Sequence, residues 1–206
     1  MRILRMHLAG FTAATSLWHE NNNSIVADEI DQIVLRMLPS TTSFLHTLED
    51  LITNGWLYSS EVLFRSTLER LATISYLLTN RERGLLEWKS GWKMSSRPSL
   101  AKRLETLPTT SPSVMRIGVD PKNYQLAKEQ LLALTPALNS AVHGDELSLL
   151  YTITHSKEGH DYYVYTNDLE NPEYAKALAL FAGFLVIFLT MVLDQHFTSY
   201  LGEITV

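Results

Sequence analysis

Apolar residues recur every three or four positions along most of the chain, which is the spacing of amphipathic helices. The clearest run covers 56–78, where leucines and a phenylalanine follow one another at helical spacing without a proline or glycine. Because apolar residues also occupy its other faces, we expect this helix to lie well inside a bundle. An earlier run begins at Ser24 and is ended or kinked by Pro39, and the next run stops at Asn54-Gly55.

Further helical patterns follow, interrupted by a long Pro-, Ser- and Thr-rich stretch that predicts a loop. They cover 81–96, 97–107, 120–142 and a very apolar last helix that opens at Asn171-Pro172. In the third of these, Asp120 is suited to the N-cap, with a proline in the first turn. Two segments within 149–166 are instead rich in β-branched and aromatic residues, which predicts a short β-hairpin.

These patterns predict an all-α fold, a helical bundle of about six or seven helices with a short hairpin near 149–166. The chain has 206 residues, of which 46% are hydrophobic, and this suits one packed domain spanning 1–206. No internal repeat divides it.

Charge and cysteine content narrow the functional classes. The formal net charge is -5, which argues against a protein whose main partner is a long nucleic acid backbone, although a small basic patch remains compatible with it. The chain contains no cysteine, so disulfides, thiolate metal sites and cysteine nucleophiles are excluded. We therefore expect a cytoplasmic protein that needs no cofactor or metal.

Two apolar stretches raise the question of a membrane. The uncharged run 177–193 is at the lower limit of length for a spanning helix, and no Lys or Arg cluster flanks it. We favour a buried helix or a dimer interface there over a membrane anchor. Near the N-terminus, Arg2 and Arg5 precede an apolar stretch that polar residues interrupt, so we favour an ordinary helix or lead-in over a signal peptide.

The strongest candidate site combines two helices. Arg65 and Glu69 are four residues apart on the predicted central helix, so they share a face and can pair, and their apolar flanks predict that both are partly buried. Asn139 and His143 have the same spacing at the end of a later helix. Imidazole can serve as an acid or base near neutral pH, and a neighbouring amide or carboxylate could orient it.

A structural role for His143 is the alternative. A histidine before Gly144 can cap the C-terminus of its helix by interacting with the last carbonyls and the helix dipole. Arg65 and Glu69 would then belong, with His143, to a buried structural network.

The pattern FRSTLERLATISYLL, followed later by LNSAVHGDE, resembles a group of uncharacterised bacterial helical proteins. These pair an R-x-x-x-E helix with a later helix that ends in a polar-x-x-x-H-G turn. That group is in turn distantly similar to the HEPN superfamily of helical bundles, many of which are metal-independent ribonucleases in toxin–antitoxin and phage-defence systems. The similarity covers roughly 56–146. HEPN ribonucleases carry an arginine shortly before the histidine on the same helix, whereas 135–139 contains none, and Arg65 is the nearest candidate.

The resemblance implies a bundle that acts on RNA or a nucleotide in a bacterial defence or stress system. If it is an enzyme, a metal-independent ribonuclease is implied, with His143 as acid or base and Arg65 stabilising the phosphorane charge. The alternative is a non-enzymatic bundle that oligomerises or binds a protein partner. In either case we expect a homodimer.

Two weaker signals lie elsewhere. His155, His160 and Asp161 could bind a metal ion, but a solvated turn explains them better. A basic, aromatic stretch could contact phosphate or stack on a base, although we expect its tryptophans in the core and its cations on a solvated face. Its members are Trp88, Lys89, Trp92, Lys93, Arg97, Lys102 and Arg103.

Overall fold

The computed structural model describes residues 28–91, 98–112, 120–143, 153–157, 160–164 and 172–197. Six helices and two strands lie in these ranges. They are α1 (Glu29–Thr53), α2 (Leu57–Thr79), α3 (Arg81–Lys89), α4 (Leu100–Leu104), α5 (Pro121–His143), β1 (Ile153–Lys157), β2 (His160–Val164) and α6 (Pro172–His196). The protein is an all-α helical bundle, as the hydrophobic spacing predicts.

Helix α2 is the centre of the bundle. In the described part of the chain it packs against each of the other five helices. Every residue from Leu71 to Leu78 is buried, and so are Phe64 and Leu68 earlier on the helix. The prediction that 56–78 forms an interior helix is confirmed, and the side chains of α2 are therefore well placed to contact several helices at once.

Of the two predicted effects of Pro39, an end or a kink of the first helix, the end is wrong. α1 continues through Pro39 to Thr53. A proline removes one helical N–H donor, but Pro39 is exposed, so water can replace that donor on the solvent side. The Ser40 and Thr41 hydroxyls, which could have capped a new helix, instead donate to the Met37 carbonyl at 2.9 Å each.

Capping residues define the other end of α1 and the start of α5. Gly55 has a φ of 76°, and the N–H of Trp56 donates to the Leu51 carbonyl at 2.9 Å, which is the Schellman arrangement expected after Asn54. At α5 the Asp120 carboxylate accepts from the Lys122 N–H at 2.9 Å, as predicted for an N-cap.

Helices α3 and α4 are shorter than predicted. α3 ends at Lys89, and Gly91, two residues later, has a φ of 73°. α4 begins after the N-cap Ser99. Trp88 was expected in the core, yet it is 38% exposed. Residues 88–91 are all exposed, so the end of α3 lies at the surface of the bundle.

The predicted hairpin is present. β1 and β2 pair antiparallel, with Ile153 opposite Val164 and Lys157 opposite His160. It is a small addition between α5 and α6.

Helix α6 supplies one wall of the core. By length and composition alone, 175–196 could cross a membrane, but 56% of its most apolar window is buried inside the bundle, where α6 packs against α1 and α2. Phe188 is fully buried and meets the Tyr124 ring of α5 edge-on, with centroids 6.5 Å apart. A core helix of a globular bundle has this arrangement.

Candidate functional site

Arg65 and Glu69 form the ion pair that their spacing predicts. Arg65 Nη1 lies 3.0 Å from Glu69 Oε1 along the same face of α2. Nη1 makes no hydrogen bond of good geometry, so this contact is a charge pair rather than a directed bond. The Arg65 side chain is 12% exposed and that of Glu69 is 33% exposed. Both charges are partly buried, and Glu69 is the more open of the two to solvent.

A hydrogen bond joins this pair to α5. Arg65 Nε donates to Asn139 Oδ1 at 2.9 Å. The two residues are 74 positions apart, so only the packing of α2 against α5 brings them together. Three of the four candidate residues therefore meet at one place in the bundle.

The fourth candidate, His143, is the last residue of α5. It follows Asn139 by one helical turn, so its backbone lies at the same end of α5 as the Arg65 contact. Its side chain, and Gly144 after it, lie outside the described residues.

Arg103 belongs to this cluster, although the sequence assigned it to a solvated basic stretch. It is 2% exposed and reaches α2 from α4. Its Nη1 donates to Thr73 Oγ1 at 2.6 Å and to the Glu69 carbonyl at 3.3 Å, and its Nη2 lies 3.5 Å from Glu69 Oε1. Its position in the sequence could have indicated this burial, because Leu100, Arg103, Leu104 and Leu107 follow the i, i+3, i+4, i+7 spacing of a buried stripe.

Arg70, next to Glu69 in sequence, points to a different helix. It donates through Nη1 to Ser40 Oγ, and its guanidinium lies 4.4 Å from the centroid of the Phe44 ring on α1. It therefore takes no part in the Arg65 cluster.

The basic stretch does not form one cationic surface in its described part. Lys89 Nζ pairs with Glu29 at 2.6 Å, Lys102 is exposed, and Arg103 faces the core. The other cations of the stretch, and Trp92, lie at 92–97, outside the described residues.

A second group of charges lies where the N-termini of α1 and α3 meet the C-terminus of α6. Arg81 binds the carboxylates of Asp28 and Asp31, the latter at 2.9 Å. The hydrogen bond from Arg81 lowers the pKa of Asp28. His196 is exposed by surface area, yet desolvation by the surrounding protein, and then the charge of Arg81, lower its pKa, while Asp31 opposes this shift.

The described residues contain no group of three or more histidine and acidic side chains placed to bind a metal ion. The side chains of His155, His160 and Asp161, on β1 and β2, lie outside this description. The candidate site is therefore a cluster of guanidinium, carboxylate and amide groups on α2, α4 and α5.

No family model, curated protein or solved structure matches the chain.

Proposed function

We propose that this helical bundle acts on RNA or a nucleotide, at a site formed by Arg65, Asn139 and His143. The observation that supports this most is the Arg65–Asn139 hydrogen bond, because Asn139 comes one helical turn before His143 on α5. Arginine together with a group that titrates near neutral pH is suited to phosphate chemistry. The HEPN-like pattern in the sequence points to the same substrate class and to a role in defence or stress.

The chemistry would be transesterification within the RNA strand. His143 would accept the proton of a ribose 2′ hydroxyl as its oxygen attacks the neighbouring phosphorus. The bond from phosphorus to the 5′ oxygen then breaks, and that oxygen takes a proton from solvent while His143 releases the proton that it accepted. This leaves a 2′,3′-cyclic phosphate and a 5′ hydroxyl. Arg65 would stabilise the negative charge that gathers on the phosphoryl oxygens during the attack.

Cleavage of total cellular RNA in the presence of EDTA tests this proposal. We expect the wild type to cleave and His143→Ala to be at least about a hundredfold slower, the usual contribution of one acid–base group. Products should end in a cyclic phosphate. Arg70→Lys serves as the control variant, because Arg70 lies outside the cluster. Intact RNA with a folded wild-type protein would contradict ribonuclease activity.

A non-enzymatic role is the second candidate, and the contacts of Arg65 and Glu69 favour it. Arg65 directs Nε to Asn139 and Nη1 to Glu69, and the Glu69 carboxylate also meets Arg103. A network of this kind can join α2, α4 and α5 without any substrate. Its function would then be oligomerisation or binding of a protein partner.

The outward face of α6 supports a homodimer under either candidate. Leu180 is 59% exposed, and Phe184 and Ile187, at the same helical face, are half-buried. Gly183 lies beside them, and a Cβ added there would meet nothing within 4 Å. A second copy of the chain could cover this face and allow the two helices to approach closely.

A further inference from the structure

Glu69 lies between two guanidinium groups that come from different helices. Its Oε1 atom is 3.0 Å from Arg65 Nη1 on α2 and 3.5 Å from Arg103 Nη2 on α4. Arg65 then donates to Asn139 on α5. A continuous chain of polar contacts therefore runs from α4 through α2 to α5.

The Arg103 end of this chain is the fixed end. Arg103 is almost fully buried, and its Nη1 is held by the Thr73 hydroxyl and the Glu69 carbonyl. The short helix that carries it is itself fastened to α5. Lys128 Nζ donates to the carbonyls of Glu105 and Leu107, at 2.7 and 2.9 Å, just after α4 ends.

The Arg65 end is held by the hydrogen bond to Asn139 and by the pair with Glu69. An i, i+4 ion pair on a helix contributes only a few tenths of a kcal/mol, too little to hold two long side chains in one conformation. Glu69 is one-third exposed and could turn toward solvent. The second guanidinium opposes that movement, because it attracts the same carboxylate oxygen from a buried position.

We infer that Arg103 is a positioning residue, which fixes the Glu69 carboxylate and through it the orientation of the Arg65 guanidinium toward Asn139. Arg103 is buried away from solvent, so it acts through Glu69 and not on a ligand. This inference concerns the same site as the proposed function and rests on it for its biological meaning. The positional claim itself can be measured without any substrate.

The test is the exchange of the Arg65 Nε proton with water, followed by NMR on the full chain. Arg103→Lys keeps a positive charge but replaces the planar, multiply donating group with a compact ammonium. We expect exchange at Arg65 to become about tenfold faster, which corresponds to losing roughly one ordinary hydrogen bond. The Arg70 guanidinium, which is bound to α1, should give unchanged signals and serves as the internal control.

Thr73→Val provides a second variant in case Arg103→Lys does not fold. It replaces the hydroxyl that holds Arg103 Nη1 by a methyl group of similar size, so a smaller acceleration in the same direction is expected. Unchanged exchange at Arg65 in every folded variant would overturn the inference, because Arg103 would then only fill the core.

Binding of a short single-stranded RNA completes the experiment. If Arg103 positions Arg65, Arg103→Lys should raise the Kd for RNA, as is also expected for Arg65→Lys. Faster exchange at Arg65 together with no RNA binding by the wild type would support the positioning role and contradict the proposed function. If Arg103→Lys speeds exchange at Arg65 but leaves the affinity for RNA at the wild-type value, the orientation of Arg65 does not control RNA binding.

Discussion

Two arginines on one helix have different partners, although only five positions separate them. Arg65 donates across the bundle to Asn139 on α5, whereas Arg70 binds Ser40 and stacks on Phe44 of α1. On an α-helix, five positions correspond to a rotation of about 140°, so the two side chains leave α2 in different directions. The local spacing thus determines which residues share a face, and packing determines what each of them meets.

At the residue scale, His196 should make stability depend on pH. Its folded pKa lies below the ordinary value of 6.5, because of desolvation and the charge of Arg81, with Asp31 opposing. As pH falls below 6.5, the unfolded chain takes up this proton first, so the free energy of unfolding falls until pH reaches the folded pKa. Since the side chain is exposed, solvent screening should keep this loss small.

Urea unfolding of the wild type and His196→Gln between about pH 8 and pH 5 measures this effect. The variant should lose less stability than the wild type as the pH falls. The Asp28–Arg81 pair should not interfere, because the pKa of Asp28 is lowered and its contribution is lost only below its ordinary value of 3.8. Parallel pH curves for the two proteins would show that His196 titrates normally.

At the element scale, the helices were predictable where apolar spacing and caps agree. The interior position of α2 and the Asp120 cap of α5 follow from local sequence alone. The error at Pro39 has a tertiary cause, since the flanking turns bury Val34, Leu38 and Leu45 in one core and hold the helix together across the proline. The burial of Arg103 was not predicted either. Its charge suggested a position in solvent, although its spacing with Leu100, Leu104 and Leu107 is that of a buried stripe.

Pro39→Ala tests the continuity of α1. The substitution restores the missing helical N–H and removes the strain of an interior proline, while it gives the unfolded chain more freedom. We expect the free energy of unfolding to rise by about 2 kcal/mol, since a helix-interior proline costs about 3 kcal/mol relative to alanine and the offset is up to about 1 kcal/mol. Ser43→Ala, at another exposed position of α1, should change it far less. A clear loss of stability in Pro39→Ala would mean that packing requires the proline.

At the scale of the whole molecule, one core joins α1, α2, α4, α5 and α6, and α6 leaves Leu180 exposed at the surface. Neither the long-range contact of Arg65 with Asn139 nor the exposure of Leu180 could be derived from sequence, because both depend on how the helices are packed together. The sequence did identify both regions, as a candidate site and as an apolar run.

Sedimentation equilibrium tests the proposed dimer. We expect the wild type to be dimeric at micromolar concentration, and Leu180→Gln to weaken the dimer by about 1–2 kcal/mol, as for a buried leucine at an interface. Leu126→Gln on α5 is the matched control, because Leu126 is similarly exposed but lies on another helix. A monomeric wild type, or equal weakening by both variants, would contradict an interface on α6.

We propose that Arg65, held by Asn139, contacts a phosphate-bearing ligand. The most direct measurement is the Kd of a short single-stranded RNA, by fluorescence anisotropy, for the wild type, Arg65→Lys and Arg70→Lys. Lysine keeps the charge but loses the planar donor geometry, so Arg65→Lys should bind about tenfold more weakly. Arg70→Lys should bind like the wild type. No binding by the wild type, or the same Kd for all three proteins, would contradict the claim and leave Arg65 as part of a structural network.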